Sequence, residues 1–350
     1  MKFNSVPTSV GSLPHTSVEK AMELTLKYNP ELPAWPQLPK ITFKENMYAQ
    51  YAEAFPGIII DEKEQKIFVN TSDAFNNLEK FYEHFLASDW DYFAISKQYS
   101  SGFNAFLSQL PVINASAVKI QVTGPLTYGL TVKDENGQAI FYNEQLKDVV
   151  IKHITSKSIW QIKKILTAKR EIQAIIVSLD EPYLAAYGSA FTAISREDVI
   201  NSLGEVIQNV KNIIPSLNTK AEILFATHCC ANTDWSVLID AGVNILSFDA
   251  YGYFDSLLLY RDKLNSFIKN NGILAWGIVP TSEEQLAKEN ADSLAKIAEN
   301  HIKTLETKGF DTNIIRNQMI LTPACGLGSL SEKTAEYALS TLFDLSKILK

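Results

Sequence analysis

The sequence predicts an α/β protein built as a single (β/α)8 barrel, the TIM barrel, and three observations lead to this prediction. Short runs rich in β-branched residues alternate with longer stretches of helical periodicity along the chain. Most of the short runs are continuously apolar, as expected of parallel strands that are covered on both faces. Eight such strand–helix units fit a chain of 350 residues.

A doubly wound open sheet is the alternative arrangement, although no GxGxxG turn follows an early strand.

Each strand–helix unit can be placed in order along the chain. Helix starts are predicted where a side-chain oxygen and an acid have capping-box spacing: Thr16 with Glu19, Ser195 with Asp198, Thr281 with Glu284, and Ser329 with Glu332. The predicted strands are Ser5–Val10, Asp91–Ser96, Val118–Thr123, Ala174–Leu179, Ile223–Thr227, Asn244–Phe248, Ile273–Ile278 and Gln318–Thr322.

Residues 29–83 do not fit one strand–helix unit. They contain the proline-rich stretch Leu32–Pro39, which is incompatible with a regular helix or a central strand. We interpret this segment as an elaboration after the first strand that folds over the mouth of the barrel. The prediction is therefore one domain that spans residues 1–350.

Composition excludes several classes of function. The chain has 32 Lys and Arg against 39 Asp and Glu, a formal net charge of −7, which argues against binding to nucleic acid or to an anionic membrane. The sequence contains no signal peptide and no apolar run long enough to span a membrane, so we expect a cytoplasmic protein. Three cysteines are too few for a disulfide scaffold.

The cysteines indicate a metal site instead. In a (β/α)8 barrel the carboxyl ends of all strands meet at one rim, so residues far apart in sequence can converge there. His228 and Cys230 follow the fifth predicted strand, Asp249 the sixth and Cys325 the eighth. Together they would form a tetrahedral set of ligands for zinc, which thiolates favour over magnesium or calcium. The alternative is that the cysteines are simply buried, and we expect this of Cys229.

Two further strand-end motifs fit the two ends of an amino acid. Ser9, Gly11 and Ser12 follow the first strand, and their hydroxyl and N–H groups suit a carboxylate, although an ordinary turn is the alternative. Asp180 and Glu181 follow the fourth strand, and one of these acids could bind an ammonium group. The alternative for them is a role at a helix N-terminus.

These motifs resemble the catalytic C-terminal barrel of cobalamin-independent methionine synthase. That enzyme belongs to a superfamily with uroporphyrinogen decarboxylase and the coenzyme M methyltransferases. The likeness runs from about residue 6 to residue 330. Thr8–Pro14 is similar to the family's carboxylate-binding Ile-Gly-Ser-Phe-Pro segment, Asp180-Glu181-Pro182 to its Asp-Glu-Pro, His228-Cys229-Cys230 to its zinc-binding His-x-Cys, and Cys325-Gly326-Leu327 to its Cys-Gly-Leu.

The resemblance implies a zinc-dependent methyltransferase that acts on a thiol, with homocysteine as acceptor and methionine as product. In this assignment Asp180 binds the amine and the first loop the carboxylate. Asp249 replaces the family's zinc-binding glutamate, Thr131 falls near its folate-packing tryptophan, and Gly277–Thr281 has no counterpart of its histidine.

These departures favour a methylcorrinoid such as methylcobalamin as donor, free or carried by a corrinoid protein, over methyltetrahydrofolate. Three alternatives stay open. They are a metal-free decarboxylase, a methyltransferase acting on another thiol such as coenzyme M, and a zinc-stabilised binding module without activity.

Overall fold

The computed structural model describes residues 2–189 and 192–350, and a parallel sheet lies at its centre. Within these residues, seven strands pair in the order β1-β10-β9-β8-β7-β6-β4, each parallel to its neighbours, and β2, β3 and β5 form a small separate sheet. The strands are β1 (Val6–Pro7), β2 (Ile58–Asp61), β3 (Lys66–Val69), β4 (Ala117–Thr123), β5 (Lys133–Asp134), β6 (Ala174–Asp180), β7 (Glu222–Cys229), β8 (Ile245–Phe248), β9 (Ile273–Val279) and β10 (Met319–Pro323).

Helices connect the strands and bury a large apolar core against the sheet. In the described part of the chain, no helix is both long and apolar enough to cross a membrane. The helices are α1 (Val18–Tyr28), α2 (Thr71–Asn76), α3 (Leu78–Leu86), α4 (Ser101–Gln109), α5 (Pro125–Thr131), α6 (Glu144–Ala168), α7 (Arg196–Ile213), α8 (Trp235–Asp240), α9 (Phe254–Leu257), α10 (Arg261–Lys269), α11 (Glu283–Leu286), α12 (Ala291–Thr307), α13 (Thr312–Asn317) and α14 (Glu332–Leu349).

The inner face of the curled sheet changes from apolar to polar along the strands. Side chains at every second position of a strand share a face. On β6, Ile176 belongs to a small inner apolar cluster, whereas Ser178 and Asp180 follow it on the same face. On β7, Ala226 belongs to that cluster and His228 follows. Polar side chains are thus concentrated at the carboxyl end of the sheet.

The strand register sets these polar side chains at one height. Thr123 pairs with Asp180, Asp180 with His228, and His228 with Ser247 across β4, β6, β7 and β8. Because residues opposite each other in a parallel sheet point to the same face, the four side chains form one row. This row is the foundation of the candidate site.

Seven of the eight predicted strands are confirmed, and the prediction of a strand over Asp91–Ser96 is wrong. This segment forms turns, and its Phe93 and Ile95 are buried in the core next to the helices. The Phe93 ring packs edge-on against Phe81 with a centroid distance of 5.4 Å. The apolar run is therefore explained by packing against helices and not by membership of the sheet.

The predicted closed barrel of eight strands is accordingly corrected to an α/β fold with an open, curled sheet of seven strands among the described residues. Residues 33–37 lie in the gap between the edge strands β1 and β4. Ala34 makes a single parallel bridge to Lys119, and Gln37 makes one to Ser12. Pro33 has no N–H to donate, and residue 36 is also a proline, so a regular strand does not form in the gap.

The predicted helix starts are correct to within two residues. Ser195 and Asp198 form the predicted capping box at the start of α7. The other three helices begin slightly later, because a serine nearer the first turn accepts the capping hydrogen bond. Ser17 caps α1, Ser282 caps α11 and Ser331 caps α14.

Candidate functional site

Three of the predicted metal ligands meet at the carboxyl end of the sheet. His228 and Cys230 lie at and just past the end of β7, and Cys325 lies two residues past β10. One ligand atom from each residue lies within 4.8 Å of the other two. We call these three residues the His-Cys-Cys group. The structure thus brings together side chains that are almost one hundred positions apart in the sequence.

The imidazole of His228 is oriented by its neighbour in the row. Its Nδ1 lies 2.9 Å from the hydroxyl oxygen of Ser247. Its Nε2 is buried and has no hydrogen-bond partner among the described residues. A buried polar atom without a partner costs about 1–3 kcal/mol, and an anchored imidazole with one free nitrogen is the usual state of a histidine that ligates a metal.

The two half-buried thiols lie within 4.8 Å of each other. Interaction with Cys325, with a further contribution from His228, lowers the pKa of Cys230, and interaction with Cys230 together with burial raises the pKa of Cys325. A cation at this position would stabilise both thiolates. The donor set, one imidazole nitrogen and two sulfurs, therefore fits zinc.

The other two predicted positions near the group lie outside it. Asp249 lies outside the His-Cys-Cys group, and its Oδ1 accepts a 2.7 Å hydrogen bond from the N–H of Gly252 in the turn after β8. The side chain of Cys229 is buried, as predicted, and burial raises the pKa of its thiol to about 12.

A cavity of about 380 Å³ opens beside the His-Cys-Cys group. Its size is within the range of small-molecule sites. Three side chains from the segment after β1, Glu45, Asn46 and Met47, form part of its wall. The other lining residues are Val10, Ser12, Gln37, Pro39, Thr123, Asp180, Pro182, His228, Cys230, Cys325, Gly326, Gly328 and Ser329.

Asp180 contributes a buried carboxylate to this cavity. Its Oδ1 accepts a 2.6 Å hydrogen bond from the hydroxyl of Ser178. Burial raises the pKa of Asp180, and the positive charge of Lys119 acts in the opposite direction. An acid in this position can bind a cationic group of a ligand.

Glu181, the next residue, has a structural role. Its carboxylate is fully buried and accepts hydrogen bonds from the N–H groups of Leu126 at 2.9 Å and Thr127 at 2.6 Å, at the start of α5. Gly124 leaves room for it, since a Cβ there would lie 2.2 Å from the Glu181 carboxylate. Asp180 therefore lies where it could bind an ammonium group, whereas Glu181 has the alternative role at the N-terminus of a helix.

The first loop reaches the cavity through one of its three predicted residues. Ser12 lines the cavity, and its hydroxyl oxygen accepts a 3.2 Å hydrogen bond from the N–H of Gly328. Gly11 has a φ of +151°, and a Cβ there would lie 2.6 Å from Gln37, so only glycine fits. Ser9 is buried below and lines a smaller inner space instead.

Several residues of the site were not predicted from the sequence. Glu45 to Met47 are supplied by a segment without regular periodicity. Lys119 is buried behind the cavity wall next to Gln121. The sequence did carry a signal for it, since a lysine within an otherwise apolar strand is rarely buried without a polar or charged partner.

Comparison with solved structures finds proteins of similar fold. The fold is similar to that of a solved B12-independent methionine synthase from Shewanella sp. W3-18-1, in complex with selenomethionine. The two chains are 13% identical, with a TM-score of 0.57 over 99% of this chain and 98% of that chain. At this identity the likeness shows the fold alone. The sequence matches no protein-family model and no curated protein.

Proposed function

We propose that this protein is a zinc-dependent methyltransferase that transfers a methyl group to a thiol, with homocysteine as acceptor and methionine as product. The observation that carries the proposal is the convergence of His228, Cys230 and Cys325 beside a cavity of ligand size. The protein of similar fold is a methionine synthase in complex with selenomethionine, which supports the choice of an amino-acid substrate.

The His-Cys-Cys group is the proposed metal site. Nε2 of His228 and the sulfurs of Cys230 and Cys325 would hold the ion, and three protein ligands leave a position for a substrate sulfur. When bound, zinc supplies a thiolate at neutral pH, where a free thiol with a pKa of about 8.5 is mostly protonated. Asp249 is a weaker candidate for a further ligand, because one of its carboxylate oxygens already accepts a hydrogen bond from the N–H of Gly252.

The cavity wall would orient the amino-acid part of homocysteine. Asp180 would bind the ammonium group, since its carboxylate lines the cavity. Ser12 would bind the carboxylate, because its oxygen accepts from Gly328 and its hydroxyl hydrogen is free to be donated. Gly11 and Ser9 support this loop from behind. Such orientation can lower a reaction barrier by about 7–11 kcal/mol.

In the proposed transfer the substrate sulfur attacks the methyl carbon of the donor. A sulfur–carbon bond forms, and the donor leaves with the electron pair of its broken bond. We propose a methylcorrinoid such as methylcobalamin, free or carried by a corrinoid protein, as this donor. Methyltetrahydrofolate is second, because Thr131 stands near the position of the family's folate-packing tryptophan.

A decarboxylase acting on a polyacidic substrate fits the cavity poorly. Among the lining residues in the described part of the chain there is no Lys or Arg, whereas Asp180 and Glu45 are acids. Recognition of several carboxylates would require the opposite charge.

The deciding experiment measures zinc content and methionine formation on the same samples. Homocysteine is supplied with methylcobalamin or methyltetrahydrofolate in parallel. We expect stoichiometric zinc in the wild-type protein, and loss of both zinc and activity in Cys230→Ala and Cys325→Ala. Cys229→Ala is the matched control, since it removes a neighbouring thiol outside the group and should retain both.

Full activity after exhaustive removal of metal would contradict the proposal. Full zinc occupancy with amino-acid binding, but without methylation of any thiol, would instead indicate a binding module.

A further inference from the structure

Lys119 is a buried cation behind the wall of the cavity. Its Nζ donates hydrogen bonds to the carbonyl oxygen of Val10 at 2.6 Å and to Oε1 of Gln121 at 3.3 Å. Burial lowers its pKa to about 8, so that the side chain is still mostly charged at neutral pH. Val10 itself lines the cavity and directly precedes Gly11 and Ser12. The lysine is thus attached to the back of the first loop.

The positive charge of Lys119 lies behind a cavity wall that contains acidic side chains. Asp180 and Glu45 both line the cavity, and Oε2 of Glu45 is buried without a hydrogen-bond partner in the described structure. A ligand carboxylate that enters this space is repelled by these acids to the extent that they are ionised. A positive charge close behind the wall would offset that repulsion.

We propose that Lys119 is a positioning residue for the carboxylate of the substrate. It holds the first loop in place through the carbonyl of Val10, and it supplies a positive charge behind the wall where Ser12 would bind the carboxylate. This inference rests on the proposed function, because it assumes a ligand with an amino-acid part.

The lysine acts through the loop and not by contact with the ligand. It lines an inner space of about 20 Å³, which it shares with Ser9, Val10 and His228. That space has room for about one water molecule and none for an amino acid. Lys119 therefore differs in role from Asp180, which faces the cavity itself.

Calorimetric titration with two ligands tests the charge. Methionine has both a carboxylate and an ammonium group, whereas 3-(methylthio)propylamine lacks the carboxylate. We expect Lys119→Met and Lys119→Gln each to weaken methionine binding about tenfold or more relative to binding of the amine. The ratio is the readout because the charge of Lys119 also acts on Asp180, which would bind the ammonium group of both ligands. Gln keeps a donor for Val10 but not the charge, so its effect isolates the electrostatic contribution.

Two other lysines supply matched controls. Lys157 is also fully buried, and its Nζ bonds two backbone carbonyls away from the cavity. Lys40 is exposed, and its Nζ bonds the carbonyl of Leu330 near the cavity rim. Lys157→Met and Lys40→Met should leave the affinities for both ligands unchanged.

Hydrogen exchange tests the effect on the loop without any ligand. The amides of residues 11–13 should exchange faster in Lys119→Met than in the wild-type protein, and at the wild-type rate in Lys157→Met. Unchanged methionine affinity together with unchanged exchange would overturn the inference. If the wild-type protein binds neither ligand and transfers no methyl group, the proposed function fails, and the exchange rates still decide whether Lys119 holds the loop.

Discussion

Buried polar side chains have different roles in two adjoining regions of the sheet, the pair β6–β7 and the gap between β1 and β4. Where β6 pairs with β7, from Ala174 and Glu222 to Asp180 and His228, the backbone groups of the two strands bond each other. The side chains of Asp180 and His228 are therefore free to face the cavity. In the gap between β1 and β4 the backbone makes only isolated hydrogen bonds in place of a regular ladder, such as the one from the N–H of Leu13 to the carbonyl of Gln37. Side chains bond further carbonyl groups there, among them that of Trp35.

Side chains of helix α6 also bond backbone carbonyl groups, most of them outside the seven-stranded sheet. His153, Lys157 and Gln161 lie four residues apart and so share one face of the helix. The distances are 2.6 Å from Nε2 of His153 to the carbonyl of Tyr51, 2.7 and 3.0 Å from Nζ of Lys157 to the carbonyls of Glu53 and Ala94, and 3.2 Å from Nε2 of Gln161 to that of Gln121. The buried polar side chains of α6 thus have a structural role, whereas those of Asp180 and His228 face the cavity.

The largest expected effect is a loss of stability without a change at the site, and it is predicted for a substitution of Lys157. Lys157→Met leaves the carbonyls of Glu53 and Ala94 without this partner. At pH 9.5, where the lowered pKa of Lys157 no longer costs much stability, it should lower the free energy of unfolding by about 2–4 kcal/mol. Zinc content should not change, because Lys157 is outside the site. Urea denaturation of the zinc-loaded protein, with metal analysis of the same samples, measures both quantities.

The pH dependence of the same variant gives a second readout. Burial lowers the pKa of Lys157 to about 7 from an ordinary value of 10.5. Between these values the unfolded chain binds more protons than the folded protein, so Lys157 makes stability rise with pH, by up to about 1.4 kcal/mol per unit. This contribution should be absent from Lys157→Met. Equal slopes for both proteins from pH 7.5 to 9.5 would contradict the assignment of Lys157 as a buried, partly neutralised cation.

A smaller effect is expected within the row of strand-end side chains. Ser247→Ala removes the oxygen that faces Nδ1 of His228 and leaves the three proposed ligands in place. Loss of such an orienting partner typically weakens metal affinity about 10–100-fold. Competition with a zinc chelator measures this, and Ser178→Ala is the control from the neighbouring strand. Unchanged affinity in Ser247→Ala would mean that the histidine is held by other contacts.

The site was predictable to the extent that it depends on regular strands. The runs that became β6, β7 and β10 are continuously apolar, and the residues at or just past their ends form the proposed site. Their convergence then follows from parallel pairing alone. Asp249 lies outside the group of three, and its position depends on how the turn after β8 closes onto Gly252, which the strand pattern does not specify.

The gap was not predictable for a related reason. The stretch around Pro33 and Trp35 has no strand periodicity, and its place beside β4 depends on distant partners. The indole N–H of Trp35 donates to Gln161, and the carbonyl of Trp35 accepts from Gln121. Contacts of this kind are made by single side chains far apart in sequence, and no local pattern encodes them.

Asp180 and Glu181 are adjacent in sequence, and substitutions at the two positions should have opposite kinds of effect. Asp180→Asn should weaken methionine about tenfold through loss of an ion pair, and it should hardly affect 3-(methylthio)propionate, which has no ammonium group. Glu181→Gln should leave both affinities unchanged and lower the free energy of unfolding by about 1–3 kcal/mol, because a neutral amide is a weaker acceptor at the start of α5. Calorimetry with both ligands and urea denaturation of both variants test this. Equal effects of Asp180→Asn on the two ligands would show that the carboxylate does not face an ammonium group, and the acceptor would then be a thiol without one.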